Sequence, residues 1–301
     1  MPPKTQIDTF GAVSLIGLAL LLAFNQVVIK VTNDAFQPVF FAGVRSAGAV
    51  VCILFWMKWR GLKLALPRAV MPSALLIGVV FSIEFLMLFT ALDLTTVSRA
   101  SVIFYSMPLW MALAAHFFIP GDRLTPRKSL GLVVAFAGVA WAILDRSDGG
   151  EASLAGDLCA LGAAIGWAAT GLLVKATALK TVRPETQLFY QVAISAVVLL
   201  AVAPLFGPLI RDPQPIHYAA VLFQIVVVVT FGFIFWLWLM SVYPASGVAS
   251  FSFLSPVLSV LMGWLLLGEQ VGTSILGALA LVAVGIVLIN RAPKAQVPQN
   301  V

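Results

Sequence analysis

The sequence predicts an all-α integral membrane protein with ten transmembrane helices, built as two inverted five-helix repeats with both termini cytoplasmic. Three observations predict it. Of 301 residues, 61% are hydrophobic and only 10% charged, at a mean hydropathy of +1.04, which is more apolar surface than one water-soluble core can hide. The apolar residues fall in ten runs, each near the roughly 20 residues a helix needs to cross a hydrocarbon layer about 30 Å thick. The second half of the chain also repeats marks of the first. This composition disfavours soluble enzymes, disordered scaffolds, disulfide-framework domains and nucleic-acid modules. It also makes the net charge of +6 a topology signal instead of the footprint of an acidic partner.

The runs are Phe10–Lys30, Gln37–Trp59, Ala69–Leu92, Ser98–Ile119, Lys128–Leu144, Leu154–Ala178, Glu185–Leu205, His217–Val242, Ser246–Leu267 and Gly272–Asn290, numbered here as spans 1 to 10. Backbone polar groups find no partner in lipid, and the runs lack the period-two alternation of a membrane barrel, so each is expected to be a helix. Span 1 is too long for a signal-peptide core and no small-residue cleavage site follows it, so it is expected to stay. The connecting loops leave no room for a soluble domain. Cys52 and Cys159 sit inside apolar runs without metal-ligand spacing, so neither a disulfide nor a metal site is expected.

Orientation follows from the basic residues. With a cytoplasmic N-terminus, the inner loops and termini sum to +10, carried by residues such as Lys58, Arg60, Lys63, Arg127, Lys128, Lys175 and Lys180. The outer side sums to −4, with Lys30, Arg99, Arg146 and Arg211 outnumbered by acids that include Asp93, Asp157 and Glu269. The repeats are expected at residues 1–150 (spans 1 to 5) and 151–301 (spans 6 to 10). Gly11 to Lys30 covers 19 positions, as does Gly156 to Lys175; Pro38 matches Pro184, Ser98 matches Ser246, Pro108 matches Pro256, and Gly121-Asp122 matches Gly268-Glu269. An odd number of spans per copy forces the second copy to enter from the opposite face.

On these residues the chain resembles the EamA-type carriers of the drug/metabolite transporter superfamily, over nearly its whole length from Gly11 to Asn290. Such carriers show Trp-Gly-x-Asn-x-x-x-x-Lys in the first helix of each half. Here the second half keeps Trp167 and Lys175, while the first keeps Asn25 and Lys30 but has Leu22 and Ala23 in place of Trp-Gly. Arg45, Ala91-Leu92, Pro108, Pro256 and Gly268-Glu269 followed by Gly277 and Gly285 also match. Within the superfamily, the ten-span length and aromatic-rich spans are most similar to the YddG-type amino-acid exporters. The resemblance implies a secondary transporter in the bacterial inner membrane, not an enzyme and without a cofactor. It would export amino acids, aromatic or other neutral ones, and related metabolites by alternating access through a central cavity of spans 1, 3, 4, 6, 8 and 9.

The residues that must explain themselves in lipid are few. Pro108 and Pro256 each abolish a backbone hydrogen bond and free the carbonyl four residues earlier, on Phe104 and Ser252; at matched places they read either as hinges or as static kinks. Arg45 and Glu84 are the only charges well inside the spans, each about 12 Å from the outer end of consecutive helices. A structural ion pair is the favoured expectation; the alternative gives Arg45 a substrate carboxylate and Glu84 a substrate amine or a proton. Candidate cavity residues are Asn25, Glu84, Ser101, Tyr105, Trp110, Trp167, Thr170, Trp236, Ser250 and Ser252, with Gln26 beside Asn25 and at most one of Trp236 and Trp238 facing inward. Each has a plainer reading, as an interface anchor, a packing residue or a serine bonded to its own helix. As a set they suit a small amphiphilic organic solute better than a metal ion, which would want clustered carboxylates or imidazoles. His116 reads as packing and His217 as loop. The small-residue stripe Gly131, Ala135, Gly138 and Ala142 is expected to pack span 5 into its own half in a monomer instead of forming a dimer seam. Two further functional classes stay open: multidrug or quaternary-cation efflux, and an integral-membrane enzyme acting on lipids, though the loops carry no metal cluster, nucleophile-base set or phosphate clamp.

Overall fold

The structure, a computed structural model, describes residues 6–119, 123–145, 153–243, 251 and 254–290. The helices are α1 (Thr9–Asn33), α2 (Pro38–Trp59), α3 (Met71–Leu94), α4 (Val97–Phe104), α5 (Met107–Phe118), α6 (Pro126–Leu144), α7 (Leu154–Ala176), α8 (Pro184–Val202), α9 (Pro215–Phe223), α10 (Phe233–Val242), α11 (Leu254–Leu267) and α12 (Thr273–Asn290). A nine-residue π-helical stretch, Gln224–Gly232, joins α9 to α10 within one span. Among the described residues, eight helical segments are long and apolar enough to cross a membrane, and α11 and α12 are shorter apolar helices. The chain is an all-helical, multi-pass membrane protein.

Sequence chemistry sets the ends of these helices. Asp8 accepts from the Gly11 amide at 2.8 Å and Gln37 from that of Phe40, while Thr96, Thr125 and Ser153 cap α4, α6 and α7 in the same way. Proline stands in the first turn of α2, α6, α8 and α9, where its missing N–H costs nothing. His217 belongs to the first turn of α9, where its Nδ1 accepts from the Gln214 amide at 2.9 Å; the loop expected there is a cap.

The bundle encloses charged side chains and turns large apolar ones outward. Phe55, Val133, Val197 and Leu205 face outward, whereas Arg45, Glu84, Arg99 and Asp157 are buried, the reverse of what water would select. Packing crosses between the halves: α3 lies on α7 and α8, α2 on α8, α1 on α11, α5 on α7, and α6 on α12. The last contact corrects an expectation. The stripe of Gly131 and Gly138 packs against the second half, not its own: a Cβ on Gly131 would sit 2.9 Å from the Gly285 carbonyl oxygen, and one on Gly285 would sit 2.6 Å from that of Gly131. Small residues at helical spacing announce a close approach but do not name the partner.

Candidate functional site: a central cavity

Span 4 breaks in the middle of the bundle. α4 ends at Phe104, the joint is Tyr105-Ser106, and α5 restarts with Pro108 in its first turn. Position 108 has no N–H to offer Phe104, so the helix yields there. Beside the joint lies a cavity of about 530 Å³, the size of a pocket for one small organic solute. Its wall runs from mid-bundle toward one end. On α1 it takes residues between Leu15 and Gln26, on α7 those between Trp167 and Lys175, and it reaches Lys128 at the start of α6. Most of the wall comes from spans 1, 3, 4, 6, 8 and 9, with Arg45, Lys128, Gln191 and Ile289 contributed by the others.

The opposite end is closed by contacts across the halves. Arg99 at the start of α4 pairs with Asp157 of α7 at 2.8 Å, both buried, and donates to the carbonyls of Ala142 and Asp145 at the end of α6. Thr95 adds a bond to Asp157 at 3.1 Å. Glu269 accepts from the Val97 and Ser98 amides and the Ser98 hydroxyl, a carboxylate cap on the positive end of α4 supplied by the other half. Arg211 grips Asp93 at 2.7 Å and the Asn33 carbonyl. The Asp93 carboxylate, chiefly through hydrogen bonding, holds the Arg211 guanidinium above its ordinary value. An antiparallel bridge between Phe36 and Ile210 completes the seal.

Arg45 and Glu84 both line the cavity, but the expected ion pair between them is not made; among the described residues the ion pairs are Arg99–Asp157 and Arg211–Asp93. The guanidinium of Arg45 lies instead over the rings of Phe85 and Phe89, 4.2 and 4.7 Å from their centroids, and donates to Gln224 Oε1 at 3.4 Å. Its Nε has no hydrogen-bond partner. Glu84 turns to α7, where Thr170 Oγ1 donates to it at 3.3 Å and the bare Gly166 lets the two backbones close up. The reason is helical rotation: Phe85 and Phe89 share a stripe of α3, and Glu84 sits about 100° around from it.

Of the remaining expected site residues, Asn25, Tyr105, Pro108, Trp167, Thr170 and Trp236 are on the wall. Asn25 Oδ1 and Gln26 Oε1 are buried without a hydrogen-bond partner, and Tyr105 sits beside Gln26, Ser255 and Ser259. Two expectations are corrected. Ser101 is fully buried in packing, away from the wall. Trp110 is off the wall, packed against α6, with its Nε1 donating to Ser106 at 3.2 Å and its ring edge-on to Phe136. Pro256, read as a hinge or a static kink, is buried near the start of α11. Ser250 and Ser252 lie outside the described residues. Trp238 packs in the apolar cluster of Leu15, Leu18 and Tyr243. Sequence reasoning passed over Gln224, which is wholly buried and links Arg45 to the Asn25 carbonyl; a lone amide inside an otherwise apolar run was its only signal. Gln191, Lys128 and Lys175 are wall residues too.

A multi-span helical bundle closed at one end around an amphiphilic hollow is the arrangement membrane transporters use. The EamA-like transporter family model matches the chain twice, over residues 9–144 and 154–291, so the chain belongs to that family and is built of two EamA repeats. It is 28% identical to the uncharacterized transporter YvbV of Bacillus subtilis, across 98% of this chain and 94% of that one. It is 26% identical to a probable amino-acid metabolite efflux pump of Escherichia coli, across 87% and 90%. A solved structure 22% identical in sequence superposes with a TM-score of 0.65 over 91% of this chain and 95% of its own, a likeness of fold.

Proposed function

We propose that the chain is a ten-span carrier of the bacterial inner membrane, with its repeats inverted and both termini cytoplasmic. It exports amino acids, aromatic or other neutral ones as in YddG-type exporters, and related metabolites by alternating access. The observation that carries the reading is the cavity: one hollow with charged groups at mid-bundle and apolar walls, open toward Lys175 and sealed at Asp93. Under the orientation set by the basic residues this is the cytoplasm-facing form. Reciprocal packing supports inversion, since α5 on α7 answers α1 on α11, while α2–α8 and α6–α12 each map onto themselves. The name of the Escherichia coli relative supports the cargo. Purified protein in liposomes, given a panel of labelled amino acids with and without a pH gradient, should move the neutral aromatic ones; vesicles that move none overturn the reading. The open face of Glu84 favours a second reading, efflux of quaternary cations. In that case Glu84→Gln loses tetraphenylphosphonium flux and amino acids never compete with it.

A further inference from the structure

We propose, resting on the carrier reading above, that the cavity grips both poles of a zwitterionic amino acid: the ammonium at Glu84 with the amide oxygens of Asn25 and Gln26, and the carboxylate at Arg45. Buried polar atoms without partners are rare and costly, and three of the six among the described residues, Asn25 Oδ1, Gln26 Oε1 and Arg45 Nε, belong to residues of this wall. Two of these are amide oxygens, and Glu84 on the same wall receives a single donor, Thr170 Oγ1. That is an excess of acceptors, and an ammonium brings three donors and a compensating charge. The orphaned donor on the same wall is Arg45 Nε. A guanidinium matches a carboxylate, and stacking on Phe85 and Phe89 fixes its plane while leaving that N–H unspent.

The two charges at mid-bundle, Arg45 and Glu84, decide between ligand classes. A simple cation would satisfy Glu84 and leave Arg45 with a second uncompensated positive neighbour; a simple anion would do the reverse. A zwitterion satisfies both and adds no net charge to a bundle surrounded by lipid. Apart from Tyr105, Thr170, Gln191 and Ser255 and the two lysines, Lys128 and Lys175, toward the open end, the rest of the wall, including Leu22, Met107, Met111, Phe233 and Trp236, is apolar, which suits an apolar substrate side chain.

The experiment is competition against labelled L-phenylalanine in proteoliposomes of the full chain, using unlabelled L-phenylalanine, phenethylamine and 3-phenylpropionate. Each of the last two lacks one pole, and both should compete on the order of 10- to 100-fold more weakly in the wild type. Arg45→Gln should bring phenethylamine up relative to L-phenylalanine, and Glu84→Gln should bring up 3-phenylpropionate; these ratios do not depend on how much of each variant folds. Analogues that compete within about threefold of L-phenylalanine in the wild type overturn the proposal while leaving the carrier reading standing. So do variants that shift neither ratio. Wild-type vesicles that move neither L-phenylalanine nor L-leucine overturn both readings together.

Discussion

Removing the Arg99 guanidinium leaves the Asp157 carboxylate in a place water does not reach, for both side chains are almost wholly enclosed. Breaking such a pair from one side costs about 3–5 kcal/mol, mostly as the penalty on the stranded charge. Arg99→Gln should therefore lower the unfolding midpoint in detergent sharply, and adding Asp157→Asn should restore much of the loss; additive effects would show that the two are not coupled. The sequence assigns both residues to the outer side, at the ends of spans 4 and 6, because a charge count gives sidedness and says nothing of depth. It did pick out Arg45 and Glu84 as the charges inside the spans, and both reached the cavity. What it missed was their partners. α3 is apolar all round, so its sequence carries no rotational signal to say which stripe faces Arg45.

Among whole helices, the legible features were those written in special residues. Pro108 marked the break between α4 and α5. The π-helical stretch had no such mark. It is a run of β-branched residues whose extra residue per turn shows in the Thr230 hydroxyl reaching back to the Ile225 carbonyl at 2.8 Å, and periodicity in a uniformly apolar segment cannot reveal it. The α6–α12 seam lay between these cases, since the glycines were visible on both helices and only their mutual contact was not. A side chain on Gly285 must displace the backbone of Gly131 and the methyl of Ala135. Gly285→Val should thus cost about 1–3 kcal/mol by overpacking. It should shift the thermal midpoint of the detergent-solubilised protein far more than Gly17→Val, at a glycine with open space around it; equal shifts would mean the seam is loose.

At the scale of the molecule, the order of apolar runs and the matched prolines and glycines sufficed to expect two related halves, whereas no sequence pattern could say which end stands open. That is a property of contacts between halves, and those at the Asp93 end are specific enough to lock. Phe36 and Ile210 face each other as an antiparallel pair flanked by the Gln37–Leu209 and Arg211–Ala35 backbone bonds, at 3.0 and 2.8 Å. This is the non-hydrogen-bonded register, in which Cα atoms lie about 4.5 Å apart, within the range a disulfide accepts, about 4.4–6.8 Å. With Cys52 and Cys159 replaced, Phe36→Cys with Ile210→Cys should cross-link on mild oxidation and hold this end shut. If the halves rock about the cavity, the oxidised protein should bind solute from the Lys175 side but carry none across, and a reductant should restore flux. Each single-cysteine variant should be indifferent to the oxidant. Full cross-linking with undiminished flux would mean that solute passes without this end opening, and the rocking of the two halves would have to be abandoned.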